Sequence, residues 1–183
     1  MNIFNTKNKK ILILAPHTDD GELGCGASIV RFIEEGADVY YAAFSTADES
    51  VPHEFPKDQL TIEVKQATRI LGIPSENLFV FQYQVRKLNF VRQEILEQLI
   101  AIRQKLNPDI IFLPSSRDFH QDHQTITQEG IANAISAAID QNLATLRDRI
   151  NSLGVAEPVI QRQGGSRIAV DLPGVQDTAA AVN

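Results

Sequence analysis

The chain has 183 residues, 43% hydrophobic and 22% charged, with a formal net charge of −6. This is the composition of an ordinary globular protein of one domain, or one domain plus a fragment, and the acidic balance argues against a nucleic-acid binder, which would show a basic face. No stretch approaches the roughly 20 apolar residues of a membrane span, the single cysteine excludes an internal disulfide, and the N-terminal ten residues lack the apolar core of a signal peptide, so a cytoplasmic chain is expected.

Lys10 to Ala15 is a short continuous apolar run, as in a central strand of a parallel sheet covered on both faces. A loop from His17 to Gly26 follows, then a helix over Ala27 to Glu35 with Ile29, Val30 and Ile33 at helical spacing and Gly36 as its stop. Asp38 to Ser45 is the next strand, which completes a unit of βαβ size. Thr46 to Gln59, with Pro52 and Pro56, is a long polar loop of the kind that often carries function. Leu60 to Leu71 is helical and ends at Gly72; Leu78 to Tyr83 is a third strand. Val91, Ile95, Leu99, Ile102 and Leu106 mark an amphipathic helix closed by Pro108, and Asp109 to Leu113 is a fourth strand. Alternating strands and helices imply an α/β fold, a Rossmann-like parallel sheet with right-handed crossovers and flanking helices.

Two stretches carry the chemistry. The first is Ala15-Pro16-His17-Thr18-Asp19-Asp20-Gly21-Glu22 and the second is His120-Gln121-Asp122-His123; together they hold three of the four histidines. Each follows the C-terminal end of a strand, the edge at which open α/β sheets bind ligands. Histidine and carboxylate are the usual ligands of a catalytic zinc, which polarises a carbonyl and acidifies a water while a neighbouring carboxylate takes the proton. Of two tandem aspartates in a loop, one can bind metal while the other faces the water. The plainer alternative is that Asp19 and Asp20 cap the following helix.

At these residues the chain resembles the LmbE-like, or PIG-L-like, zinc-dependent de-N-acetylases. The likeness covers about residues 8–135: Pro16-His17-Thr18-Asp19-Asp20-Gly21-Glu22-Leu23-Gly24-Cys25-Gly26, then Glu63-Val64-Lys65-Gln66-Ala67 with Leu71-Gly72, then His120 to His123. It implies His17, Asp20 and His123 as ligands of zinc, or of another divalent metal such as iron(II). It implies Asp19 as the base that activates water, His120 as the group that stabilises the oxyanion, and Asp122 as the carboxylate that orients His120. The implied reaction is hydrolysis of an N-acetyl group on a small molecule, an amino sugar or its conjugate. Thr18 and Gly21 depart from the family motif, so a less rigid loop is expected, and Leu60 stands where many members carry an arginine thought to contact substrate. The family also continues well past the second motif.

From about Ala138 the chain resembles something else. Gln141-Asn142-Leu143-Ala144-Thr145-Leu146-Arg147-Asp148-Arg149-Ile150 through Glu157-Pro158, Gln161 to Gly164 and Ile168 to Gly174 look like SecD, a subunit of the bacterial protein-export machinery. A chimera is expected, with a deacetylase-like domain over 1–135 that lacks the family's C-terminal part, a SecD-like α+β fragment over 136–183, and a seam between Asn133 and Gln141. Leu143, Leu146, Ile150 and Leu153 make a helical stripe ending at Gly154. Val155 to Gln163 and Arg167 to Leu172 read as strands joined around Gly164-Gly165, and a further helix begins at Asp177. The sheet edge left uncovered invites docking of that hairpin, or a homo-oligomer formed through it.

Several readings compete. The chain is a zinc amide hydrolase, or a catalytically weak or inactive scaffold carrying a SecD-like interaction segment. A nucleotide site at Gly24-Cys25-Gly26 is a third possibility, although the spaced glycine fingerprint is absent. Cys25 reads as a small buried residue rather than a ligand or nucleophile, and His53 as a solvated loop residue rather than a substrate contact.

Overall fold

The computed structural model describes residues 6–152, 159–165 and 167–171, and the chain divides into two compact units, Met1–Gly130 and Ile131–Asn183. The first unit carries β1 (Lys10–His17), α1 (Asp20–Glu34), β2 (Asp38–Ser45), α2 (Gln59–Ile70), β3 (Leu78–Val80), α3 (Arg92–Leu106), β4 (Ile110–Phe112) and the start of α4 (Gln121–Ser152). The strands form one parallel sheet in the order β3-β2-β1-β4.

Alternation along the two central strands explains why helices cover both faces. Ile11, Ile13 and Ala15 of β1 and Val39, Tyr41 and Ala43 of β2 pack with Ile29 of α1 and Val64 of α2. Leu12 and Leu14, with Ala42 and Phe44, face the other way and pack with Ile95, Leu99, Ile102 and Leu106 of α3 and with Ile126 of α4. Successive side chains of a strand point to opposite faces, so a continuous apolar run is needed only where both faces are buried. Each fully buried Leu or Ile in this run stabilises the sheet by about 1.5–3 kcal/mol relative to an exposed one.

The winding sets the position of the site. From β1 the chain moves outward to β2 and β3, then returns through α3 to place β4 on the opposite side of β1. The direction therefore reverses between β1 and β4, and the C-terminal ends of strands at such a reversal form the ligand crevice of an open α/β sheet.

Some elements differ from the sequence expectation. α1 begins at Asp20 rather than Ala27, because Cys25 (φ −147, ψ 23) is a kink between two helical segments and not a boundary. β3 has three residues, not six. Beyond it the Phe81 and Tyr83 amides still donate to the Ala43 and Phe44 carbonyls at 2.8 and 3.1 Å, so the chain follows β2 without a regular ladder. α3 ends at Asn107, which takes the left-handed conformation (φ 47), one residue before Pro108.

α4 is helical without interruption across the expected seam. In the second unit Ile139, Leu143 and Ile150 of this helix are buried with Ile160 of β5 (Val159–Gln163), and Leu146 and Ile168 pack against them. β6 (Arg167–Asp171) pairs antiparallel with β5, and Gly164 (φ 67) lies in the turn between them. The second unit is thus a helix with a β-hairpin. Leu153, Gly154, Val155 to Pro158, Leu172 and the helix expected from Asp177 lie outside the described residues. No helix among the described residues is long and apolar enough to cross a membrane.

Candidate active site

β1 ends on His17, and its last pair with β2 is His17 with Ser45. Thr18 and Asp19 then turn the chain into α1. This turn is tied down by Tyr41 of β2, whose buried hydroxyl accepts from the Gly21 amide and donates to the Thr18 carbonyl, both at 2.9 Å. Burial holds the Tyr41 phenol far above its ordinary pKa, so it stays neutral. A Cβ on Gly21 would lie 2.5 Å from the Tyr41 ring, which accounts for glycine at this position. The loop expected to be less rigid is therefore braced from the neighbouring strand.

Asp20 and the two histidines come together at the end of β1. The Asp20 Oδ2 atom accepts from the His17 amide at 2.8 Å and lies 3.1 Å from His17 Nδ1 and 3.3 Å from His123 Nε2. His123 Nε2 lies 3.3 Å from His17 Nδ1. Each imidazole is held from behind by a carboxylate. His17 Nε2 is 3.0 Å from Asp122 Oδ2, and His123 Nδ1 is 2.8 Å from Asp118 Oδ2. These partners fix the tautomers: Nε2–H of His17 donates to Asp122 and Nδ1–H of His123 donates to Asp118. The other ring nitrogens then turn their lone pairs toward Asp20 Oδ2. Three acceptors facing one another repel unless a cation or a proton lies between them.

Their spacing fits a metal. A tetrahedron of ligands about 2.0–2.1 Å from a zinc has edges of about 3.3 Å, and the three edges here are 3.1, 3.3 and 3.3 Å. His17, His120 and His123 also offer ring nitrogens within 4.8 Å of one another, but that set is looser, and His120 Nδ1 is already taken as an acceptor from the Asp122 amide at 3.2 Å. His17, Asp20 and His123 are the residues that could hold the ion. Burial pulls the His17 imidazole down, but its bonds to Asp20 and Asp122 outweigh that and raise it above its usual value. Burial pushes Asp20 up, and the hydrogen bonds from His17 more than reverse it, so Asp20 stays ionised.

The Asp122 carboxylate, fully buried, reaches His17 and not His120 as expected. It also accepts from the Arg86 amide at 2.6 Å and the Leu88 amide at 3.2 Å. In the first turn of α4 it is the Asp122 amide, not its carboxylate, that meets His120. With Nδ1 accepting, His120 keeps its proton on Nε2. Burial first, then the neighbouring His17 and His123, lower its pKa, so at neutral pH it is an uncharged donor.

Asp19 is exposed at the N-cap position of α1, but its side chain makes no capping bond, so the capping alternative does not describe it. It lines a cleft of about 460 Å³ together with His17, Thr18, Leu60, Arg86 and His120. A second cleft, of about 490 Å³, opens beside Asp20 and His123 and is lined by Leu23, Cys25 and Phe112. Cys25 is half-buried, its thiol directed to the Gly21 carbonyl at 3.2 Å and pushed up by burial, opposite to an activated nucleophile. Gly24 and Gly26 lie within α1, so no glycine-rich phosphate loop exists there. His53 is exposed in the polar loop. Sequence reasoning missed Asp118, Tyr41 and Arg86. Only Asp118 had a local signal, an acidic residue two positions before His120.

The chain is similar to known proteins in two separate stretches. The family model described as PIG-L, GlcNAc-PI de-N-acetylase, matches residues 12–135. That of the protein translocase subunit SecDF P1 domain, N-terminal, matches residues 139–183. SecD of Escherichia coli K12 is 45% identical over 125 residues, 68% of this chain and 20% of that protein, so the chain spans about a fifth of the curated relatives it matches. A conserved protein of Thermus thermophilus superimposes with a TM-score of 0.60 at 28% identity, over 68% of this chain and 55% of that one. The N,N'-diacetylchitobiose deacetylase of Pyrococcus horikoshii has the same fold, with a TM-score of 0.60 at 22% identity over 68% of this chain and 49% of that one. A SecD-like segment thus follows a domain, containing both histidine stretches, that matches one family model over two thirds of the chain, and the chain belongs to the PIG-L family of GlcNAc-PI de-N-acetylases.

Proposed function

We propose that residues 1–135 form a zinc-dependent amide hydrolase domain that removes an N-acetyl group from an amino sugar or its conjugate, and that residues 136–183 are a separate SecD-like fragment joined to it. The observation that carries this reading is the triangle of His17 Nδ1, Asp20 Oδ2 and His123 Nε2, with edges of 3.1 to 3.3 Å. A zinc held there would polarise the amide carbonyl and acidify a water.

The chain's own groups supply the rest. Asp19, exposed in the cleft and free of any capping bond, takes the proton of the attacking water. His120, neutral with Nε2–H directed away from the Asp122 amide, hydrogen-bonds the developing oxyanion and keeps its proton, while Asp19 passes the proton it took from the water to the leaving amine. Asp122 and Asp118 hold His17 and His123 in the tautomers that leave the inner nitrogens bare. A supporting parallel is that the Pyrococcus horikoshii neighbour is a deacetylase of a diacetylated amino sugar.

The test combines metal content with acetate release from N-acetylglucosamine conjugates. Asp19→Asn is expected to keep one zinc per chain and to lose about 10²- to 10⁴-fold in turnover. A variant with near-full activity removes Asp19 from the base role, and wild-type protein that binds zinc tightly yet releases no acetate favours the inactive-scaffold reading.

A further inference from the structure

Arg86 occupies a conformation that arginine seldom takes. It is the third residue of the Gln84–Lys87 turn, closed by the Lys87 amide on the Gln84 carbonyl at 3.2 Å, and its φ is +64. Glycine or asparagine is the ordinary residue there. Any other side chain raises the backbone energy by about 1 kcal/mol or more, and such strain clusters at ligand clamps.

The turn is pinned on both sides of Arg86. Its amide donates to buried Asp122 at 2.6 Å, and its carbonyl accepts from the Gln121 side chain at 3.3 Å. The carboxylate that holds the Arg86 backbone is thus the one that holds His17. The side chain itself is exposed and lines the cleft with Asp19 and His120. Among the described residues its guanidinium makes no hydrogen bond or ion pair, and it is the one permanent positive charge lining that cleft. Leu60, where the family resemblance places an arginine, contributes only apolar surface to the same wall.

We propose that Arg86 is a specificity-determining residue that selects N-acetylated substrates bearing an anionic group, a phosphate or a carboxylate. A guanidinium presents a planar fork of donors that matches either anion in a bidentate way. The backbone clamp fixes where that fork begins relative to His17, so the distance between the substrate's anion and its amide is read together. This assignment rests on the amide-hydrolase reading, and the experiment separates the two.

The zinc-loaded full chain is titrated calorimetrically with N-acetylglucosamine, N-acetylglucosamine 6-phosphate and N-acetylmuramic acid, and acetate release is followed for each. At least one anionic sugar is expected to bind roughly tenfold or more tighter than the neutral one, a charge-assisted contact. Arg86→Gln should abolish that preference, so that the anionic and neutral sugars bind this variant alike, and Arg86→Lys should keep part of it. A preference for the phosphate alone or the carboxylate alone identifies the anion. Equal affinities in the wild type, no binding of either anionic sugar, or a preference that survives Arg86→Gln overturns the proposal. Anion-selective binding without acetate release defeats the hydrolase reading and leaves Arg86 in place; acetate release at equal rates from all three does the reverse.

Discussion

At the scale of single residues, the site works by division of labour between carboxylates that look alike in the sequence. Asp20 faces the two inner histidine nitrogens, while Asp122 and Asp118 stand behind the rings and set which nitrogen is bare. The motif spacing carried Asp20 and Asp122 because both sit within the two histidine stretches. Asp118 escaped it, because its role depends on the loop after β4 folding back so that its Oδ1 accepts from the His120 amide at 2.9 Å. That amide bond, followed by the one to His123, holds the Asp118 carboxyl below its usual range. Asp118→Ala is therefore expected to weaken zinc about 10- to 100-fold while the sheet stays folded, the magnitude typical of groups that orient a metal-ligating histidine; competition with a chromophoric chelator measures it. His17 gives a second test. Its pKa is raised above 6.5, so in the metal-free chain its proton stabilises the fold below 6.5, and that contribution is lost as pH rises through the raised value. Zinc needs the neutral ring, so affinity should climb with pH across the same window and binding should release a proton. Calorimetry in two buffers of different ionisation enthalpy would show it, and binding heats that do not depend on the buffer would rule out His17 as a ligand.

At the scale of elements, β1 and β2 were legible because both faces are buried, which forces a continuous apolar run that no half-exposed strand needs. β3 was read too long because its apolar residues continue to pack, with Phe81 stacked on Phe44 and Tyr83 on Phe81, after the regular ladder has ended. Periodicity reports burial, and here burial outlasts hydrogen-bond geometry. The brace between β2 and the loop after β1 was not legible at all. Nothing local to Tyr41 says that its hydroxyl meets Gly21 and Thr18, 20 and 23 positions back. Tyr41→Phe removes one donor and one acceptor and strands a buried amide and a carbonyl, which should cost about 1–3 kcal/mol. Because both stranded groups lie in the loop that carries Asp19 and Asp20, zinc affinity should fall in the same variant. Urea unfolding of the metal-free chain and zinc titration read the two effects separately. An unchanged zinc affinity beside a lowered stability would confine Tyr41 to the fold.

At the scale of the whole molecule, the sequence shows two resemblances and the structure shows one helix running through the place where they meet. The seam was drawn between Asn133 and Gln141 from the change of resemblance, and the compact units divide between Gly130 and Ile131, inside α4. A change of ancestry leaves no mark on helix geometry when both flanks are helical, since propagation only requires the next residue to tolerate the same backbone. What differs on the two sides is what the helix buries. Ile126 belongs to the cluster with Leu12, Phe44 and Leu99. Ile139, Leu143 and Ile150 belong to a cluster with Ile160. The second cluster is small, and a helix with one hairpin has little apolar area to offset its ordering. The two units should therefore open at different free energies. Hydrogen exchange on the full chain is expected to give strong protection for the amides of β1, β2 and α3, and weaker, independently opening protection for β5, β6 and α4 beyond about residue 139. Zinc should raise the protection of the first set by mass action and leave the second unchanged, because the ligands proposed for it all lie at or before His123. A single cooperative opening with uniform protection from β1 to β6, raised throughout by zinc, would mean that the two units form one domain and that the seam exists only in ancestry.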